Sequence, residues 1–207
     1  MKKLIRFLLI IILILSLLII YARYGGTRGL ITKEYQIETT IDDSFDGLKI
    51  VHFSDLHYLR IINKETTQSI IEEINLLNPD IVVFTGDLID KDYKPNDKDI
   101  SNLKELLTSI KSKYGKYSVL GEHDIKVEDT IKDIYISSNF TLLDNSYDVI
   151  YGNNNNKLFI GGLSNNPDID KVMNYFTENE DINYKIILVH EPDYVDTITS
   201  KYNNTNL

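Results

Sequence analysis

The chain has 207 residues, a net charge of −9 at neutral pH and no cysteine. That length suffices for one domain plus an appendage. The acidic balance argues against nucleic acid as a partner, because phosphate backbones are bound by clustered Lys and Arg. The lack of cysteine excludes disulfides and thiolate metal sites.

Lys2, Lys3 and Arg6 precede an apolar run from Phe7 to Ile20 that only Ser16 interrupts. Counted from Leu4, about 19 residues are available, the length of a membrane-spanning helix with Arg6 snorkelling to the interface. Tyr21 and Tyr24 suit the far interface. A cleaved signal peptide has the same basic start and apolar run, but no small-x-small cleavage site follows here. Residues 1–24 are therefore read as an uncleaved anchor. A slight basic excess on the leading side places the N-terminus inside and the globular part outside the cytoplasm. The expectation is a single-pass protein of the cell membrane.

Residues 25–46 read as a linker and a first strand. Gly25 to Gly29 form the flexible part. Tyr35 to Ile41 alternate, as a half-exposed strand does. Leu48 to Phe53 are apolar on both sides, as in a strand buried within a sheet. Thr67, Ile70, Ile71, Ile74 and Leu77 recur at helical spacing, and Asn78-Pro79 stops that helix. Asp80 to Thr85 is a second buried strand. Ile100, Leu103, Leu106, Leu107 and Ile110 mark another amphipathic helix, and Lys116 to Leu120 a third strand. A helix over 128–138 and strands at 140–143, 147–151 and 157–162 follow, the last two joined by a polar hairpin loop. Asp168 to Thr177 is helical, Tyr184 to Val189 is a further buried strand, and the last helix lies near 194–202. Strand and helix alternate, and strand ends carry carboxylates or imidazoles. In such α/β patterns sites gather at the carboxyl ends of strands.

Four strand ends carry Asp55 and His57, Asp87, Glu122 and His123, and His190. Carboxylate oxygen suits hard divalent cations, and imidazole suits borderline ones. Two such ions about 3.5–4 Å apart can share one carboxylate and catalyse displacement at phosphorus. Asp87 is the central candidate for sharing. His52, inside the first strand, reads as a packed or interface histidine instead.

The runs S-D-L-H (54–57), G-D-x-x-D (86–90), G-x-H-D (121–124) and H-E-P-D (190–193) together resemble the calcineurin-like metallophosphoesterases, closest to their membrane-associated bacterial branch. The resemblance covers roughly residues 47 to 200. It implies a two-sheet αββα sandwich and two divalent metal ions, manganese, iron, zinc or magnesium. It also implies hydrolysis of a phosphomonoester, phosphodiester or pyrophosphate by a hydroxide that the cations activate. Asp55 and His57 would hold the first metal, Asp87 would bridge, and His190 would hold the second. His123 would protonate the leaving oxygen, Asp124 would orient His123, and Asp90 would support the ligands from behind. A phosphate ester is the implied substrate, and the anchor points to a lipid-linked or envelope-derived one.

Two departures from the family pattern bear on these expectations. Glu122 stands where the family has Asn, and it is expected to ligate the second metal. The family pattern also ends in G-H-x-H, whereas none of the four histidines follows His190. The domain over 47–207 is therefore expected to be incomplete at its carboxyl end. One alternative is half of a split enzyme, with a second polypeptide supplying the rest. The competing reading is an impaired remnant that binds at most one metal.

Overall fold

The computed structural model describes residues 2–24, 29–179, 182 and 184–202. Most of the glycine linker, residues 25–28, lies outside the described residues. Contacts divide the chain into two units, Met1–Ile37 and Glu38–Leu207.

The first unit is dominated by helix α1, Lys2–Tyr24. Its span Lys2–Tyr21 has a mean hydropathy of 3.0, and none of it is buried by protein. By length and composition it is able to cross a membrane. The strand expected over 35–41 does not form. No strand among the described residues pairs with it, and Tyr35 and Ile37 are exposed. Alternation alone does not make a strand when no sheet edge receives its hydrogen bonds.

The second unit is an α/β sandwich of two sheets. The first sheet is parallel, in the order β1 (Ile50–Phe53), β2 (Ile81–Phe84), β3 (Gly115–Ser118), β4 (Phe140–Leu142). Helices α2 (Lys64–Leu76), α3 (Asp97–Thr108) and α4 (Glu128–Ser137) connect these strands. Strands β5 (Ser146–Tyr151) and β6 (Lys157–Gly162) form the expected antiparallel hairpin, and β7 (Tyr184–Leu188) pairs parallel to β6. Helix α5 (Ile169–Glu178) precedes β7, and α6 (Tyr194–Lys201) follows it.

The layers can be read from the alternation of side chains along single strands. In β2, Val82 and Phe84 join the cluster built with Ile71, Ile74, Leu103, Leu107, Ile131 and Ile134 of α2, α3 and α4. Their neighbours Ile81 and Val83 join the opposite cluster with Tyr117, Ile150, Leu158, Ile160 and Leu188, which fills the space between the sheets. In β6, Phe159 turns to a third cluster, with Val172 of α5 and Ile198 of α6. Helices, sheet, sheet and helices follow in that order, as the resemblance implied.

The starts of α2, α3 and α5 are fixed by side chains. Asn63 accepts the Thr66 N–H, and Asn96 forms a reciprocal capping box with Asp99. Asp168 accepts the Lys171 N–H at the start of α5. Each such cap contributes about 1 kcal/mol. Lys116 is a buried cation on β3. Its amine donates to the Leu107 carbonyl at 2.9 Å, and burial pushes its pKa down to about 8.

Strand β1 departs from expectation. It is an edge strand, with Ile50 and His52 exposed while Val51 and Phe53 pack on the helices' side. His52 donates or accepts at Thr85 Oγ1, 2.8 Å away, across to β2's end.

At the carboxyl end of the first sheet two loops nearly touch. Gly86 has φ +97°, and a Cβ there would lie 2.3 Å from the Gly121 nitrogen. Gly47, at φ +70°, faces open space. Gly86→Ala is therefore expected to cost about 2 kcal/mol or more, against about 1 for Gly47→Ala. Chemical denaturation of both variants measures the difference.

Candidate metal centre

The segment after β1 keeps hydrogen-bonding to the segment after β2. Asp55 N donates to Gly86 O, His57 N to Asp87 O and Tyr58 N to Leu88 O, at 2.9–3.0 Å. Leu56 and Tyr58 are tucked into the helix-side core. Asp55 and His57, which alternate with them along the chain, are thereby turned toward the loops of β2 and β3. Asp55, His57 and Asp87 all adopt left-handed backbone, with φ of 55°, 40° and 59°. Non-glycine residues in this region cost roughly 1–2 kcal/mol each, and such strain clusters at functional sites.

Asp124 makes this arrangement rigid. Its Oδ2 accepts the N–H groups of Asp87 (2.9 Å) and Gly121 (3.0 Å). Its Oδ1 accepts those of Leu88 (2.9 Å) and Ile89 (3.4 Å). The side chain is fully buried, and burial pushes its pKa up to about 6, against the pull of these donors. The expectation that Asp124 orients His123 is thus corrected: its oxygens are taken by backbone, and the His123 ring is not among its partners. The carboxylate beside that ring is Asp90, with Oδ2 3.6 Å from His123 Nδ1 and 3.7 Å from His57 Nδ1. The Asp92 N–H, followed by the charges of His123, Arg60 and His57, holds Asp90 below the usual carboxylate range. His57 Nδ1 is buried without a hydrogen bond.

His123 is fixed at two points. Its backbone N–H donates to Asp87 Oδ1 at 2.8 Å, and its Nδ1 accepts the Lys91 N–H at 3.3 Å. With Nδ1 accepting, the proton of the neutral ring sits on Nε2. His190, two residues past β7, sets its Nδ1 2.7 Å from the Thr85 carbonyl. Only a protonated Nδ1 bonds a carbonyl, so Nε2 keeps its lone pair, the arrangement of a metal ligand.

Asp87 lies at the centre. Its Oδ2 is 3.6 Å from His57 Nε2 and 4.0 Å from His123 Nε2, and its Oδ1 is 3.7 Å from His190 Nε2. Asp55 Oδ1 is 3.9 Å from His57 Nε2. These separations are too long for hydrogen bonds. They suit atoms that share an ion at about 2.1 Å from each. Ligand atoms lie within 4.8 Å of one another in two groups, His57–Asp87–His123 and Asp55–Asp87–His190, with Asp87 common to both. Asp55 therefore stands with His190 as well as beside His57, and His123 stands among the potential ligands. Three acidic groups, Asp55, Asp87 and Asp90, crowd around imidazoles, and a cation relieves their repulsion. The donor set fits divalent cations.

Glu122 is not in either group. Its side chain is 66 % exposed, with Lys91 Nζ 3.9 Å away. Its neighbour His123 turns inward, and the Glu122 side chain lies on the solvent side. Sequence reading missed the Thr85 carbonyl and the Lys91 N–H. Both act through backbone atoms, which carry no sequence signal.

A family model, calcineurin-like phosphoesterase, matches residues 48–206. The chain belongs to this family. It is 33% identical over 182 residues to the Uncharacterized metallophosphoesterase YkuE of Bacillus subtilis, covering 84% of this chain and 61% of that protein. Over 78 residues it is 35% identical to the UDP-2,3-diacylglucosamine pyrophosphatase LpxG of Chlamydia muridarum, 38% of this chain and 23% of that one. Over 89 residues it is 33% identical to a transmembrane protein with metallophosphoesterase domain of Danio rerio, 43% of this chain and 20% of that one. The chain thus spans less than two thirds of each of these relatives.

If Asp124 is a backbone latch, Asp124→Asn loses acceptors for part of its donor set while burying an amide. It is expected to cost about 2–4 kcal/mol of stability. His123→Gln, at a partly exposed ring, is expected to stay within about 1 kcal/mol. Paired denaturation curves decide between a latch and an orienting role, since the latter would leave Asp124→Asn as stable as the parent.

Proposed function

We propose that this phosphoesterase hydrolyses a phosphomonoester, phosphodiester or pyrophosphate with two divalent cations, at a membrane face. One observation carries the reading: Asp87 turns Oδ2 to His57 and Oδ1 to His190. That is what a shared carboxylate between paired ions requires. It also supports two ions over the single one of the remnant reading. Mixed imidazole and carboxylate donors suit manganese, iron or zinc better than magnesium. When bound, such ions neutralise phosphate charge and acidify water.

The chain's own residues supply the remainder. Asp55, Asp87, His57 and His190 would hold the ions. His123 presents Nε2–H toward the same space. Its imidazolium form would donate that proton to the leaving oxygen as the phosphorus–oxygen bond breaks, while the attacking water, having released a proton to solvent, bonds to phosphorus. Asp90 faces Nδ1 of both His57 and His123 and lies beside both rings. Arg60 and Lys91 offset the acidic surroundings for an incoming anion. Helix α1 would tether this chemistry to the cell membrane, with the catalytic domain outside the cytoplasm. The pyrophosphatase relative is named for UDP-2,3-diacylglucosamine, and a lipid-linked or envelope phosphate is the substrate we favour here.

Removal of metal by EDTA is expected to abolish hydrolysis of bis(4-nitrophenyl) phosphate, and manganese to restore it. His123→Gln should lower kcat by about 10²–10⁴-fold with metal content, read by elemental analysis, unchanged. Asp87→Asn should lose the bound metal itself. A folded, manganese-loaded chain without turnover would overturn the proposal. Glu122→Asn should leave metal content unaltered and the rate within about twofold, as befits an exposed ion pair.

A further inference from the structure

Two loops form the rim of the centre, and each exposes one large aliphatic side chain. The first begins at His57 and closes through Leu59 N to Ile62 O (2.7 Å) and Ile61 N to His57 O (3.0 Å). Tyr58 is buried, and Leu59 and Ile62 pack against the helix-side core. Ile61 is left 67 % exposed. The second loop follows His123 as a short 3-10 turn, Asp124–Val127. Asp124 is buried and Val127 packs inward, while Ile125 is 47 % exposed. The rings of His57 and His123 meet edge-on with centroids 4.8 Å apart, so the two loops face one site.

Single exposed aliphatic residues are ordinary on a protein surface. These two differ in position and in what holds them there. Leu59 adopts φ +62°, a left-handed conformation that is costly for a branched, bulky residue. The loop therefore carries strain while it folds three of its apolar side chains inward and leaves Ile61 outside. Ile61 is bonded through its backbone to a candidate ligand, and Ile125 lies two residues from His123, within about 7 Å along the chain. Arg60, exposed beside Ile61, has its charge within reach of Asp90. The rim thus offers a cation and two aliphatic surfaces around the centre, a pattern that matches an anionic head with a hydrocarbon tail.

We infer that Ile61 and Ile125 receive the hydrocarbon part of the substrate, so that the ester this centre takes carries an alkyl or acyl chain. The inference deepens the hydrolase reading above and rests on it.

The test compares methyl and dodecyl 4-nitrophenyl phosphate, which share one scissile bond, with the manganese-loaded full chain in phosphatidylcholine nanodiscs. The parent protein is expected to favour the dodecyl ester by roughly tenfold or more in kcat/KM, the scale of burying aliphatic surface. Ile61→Ser with Ile125→Ser should cut that preference about fivefold and keep the methyl ester within about twofold. Ile61→Leu with Ile125→Leu should keep the preference. The bilayer concentrates the dodecyl ester equally for every variant, so the ratio between variants reads the rim alone. Equal rates on the two esters in the parent, a preference that survives the double serine change, or a proportionate loss on both esters would each overturn the inference and leave the hydrolase reading intact. No turnover of either ester by the loaded parent would overturn that reading, and the inference with it.

Discussion

Four backbone N–H groups converge on the carboxylate of Asp124, and the geometry of the centre depends on that convergence. Three of them belong to consecutive residues, 87 to 89, just past β2. The fourth belongs to Gly121, just past β3. Two loops at the ends of neighbouring strands are thereby pinned to one buried group. A carboxylate can accept several donors at once, which no neutral side chain of its size can do. The small separation needed is possible because positions 86 and 121 lack side chains.

Pinning explains why strain persists where it does. Asp87 sits in left-handed backbone with its N–H held by Asp124 and its carboxylate fixed by the His123 N–H. Asp55 and His57 are in the same backbone region, and their N–H groups are bound to the loop that Asp124 holds. Each strained residue is thus over-determined by hydrogen bonds made elsewhere. A ligand set prepared in this way loses little further freedom on binding an ion, which is the benefit of preorganisation.

Much of this was legible in the sequence. The continuous apolar run of β2 read as a buried strand, and in the fold it has a core on each face. Four short motifs, each at a strand end, pointed to one centre and to the family. The errors share a cause. Residues 35–41 alternate like a strand, but strand formation needs a partner that local pattern cannot name. β1 is apolar enough to be interior, but its place at the sheet edge is set by strand order, a tertiary property. Asp124 was visible as an acid next to a histidine, and adjacency gave it the wrong partner. Its carboxylate reaches back along its own loop and across to β2. The solvent-facing direction of Glu122 is likewise a matter of backbone geometry that composition does not encode.

His190 belongs to the second sheet, whereas Asp55, His57 and Asp87 belong to the first, and its ring already reaches the Thr85 carbonyl at the end of β2. An ion held by residues from both layers would act as a rivet through the sandwich. Ligands that bind only the native form raise its resistance to unfolding in proportion to the logarithm of their concentration. Metal supply would then govern the lifetime of the folded chain against proteases as well as its chemistry. A cell short of the ion would clear the protein faster, and abundance would follow nutrient status without a dedicated regulator.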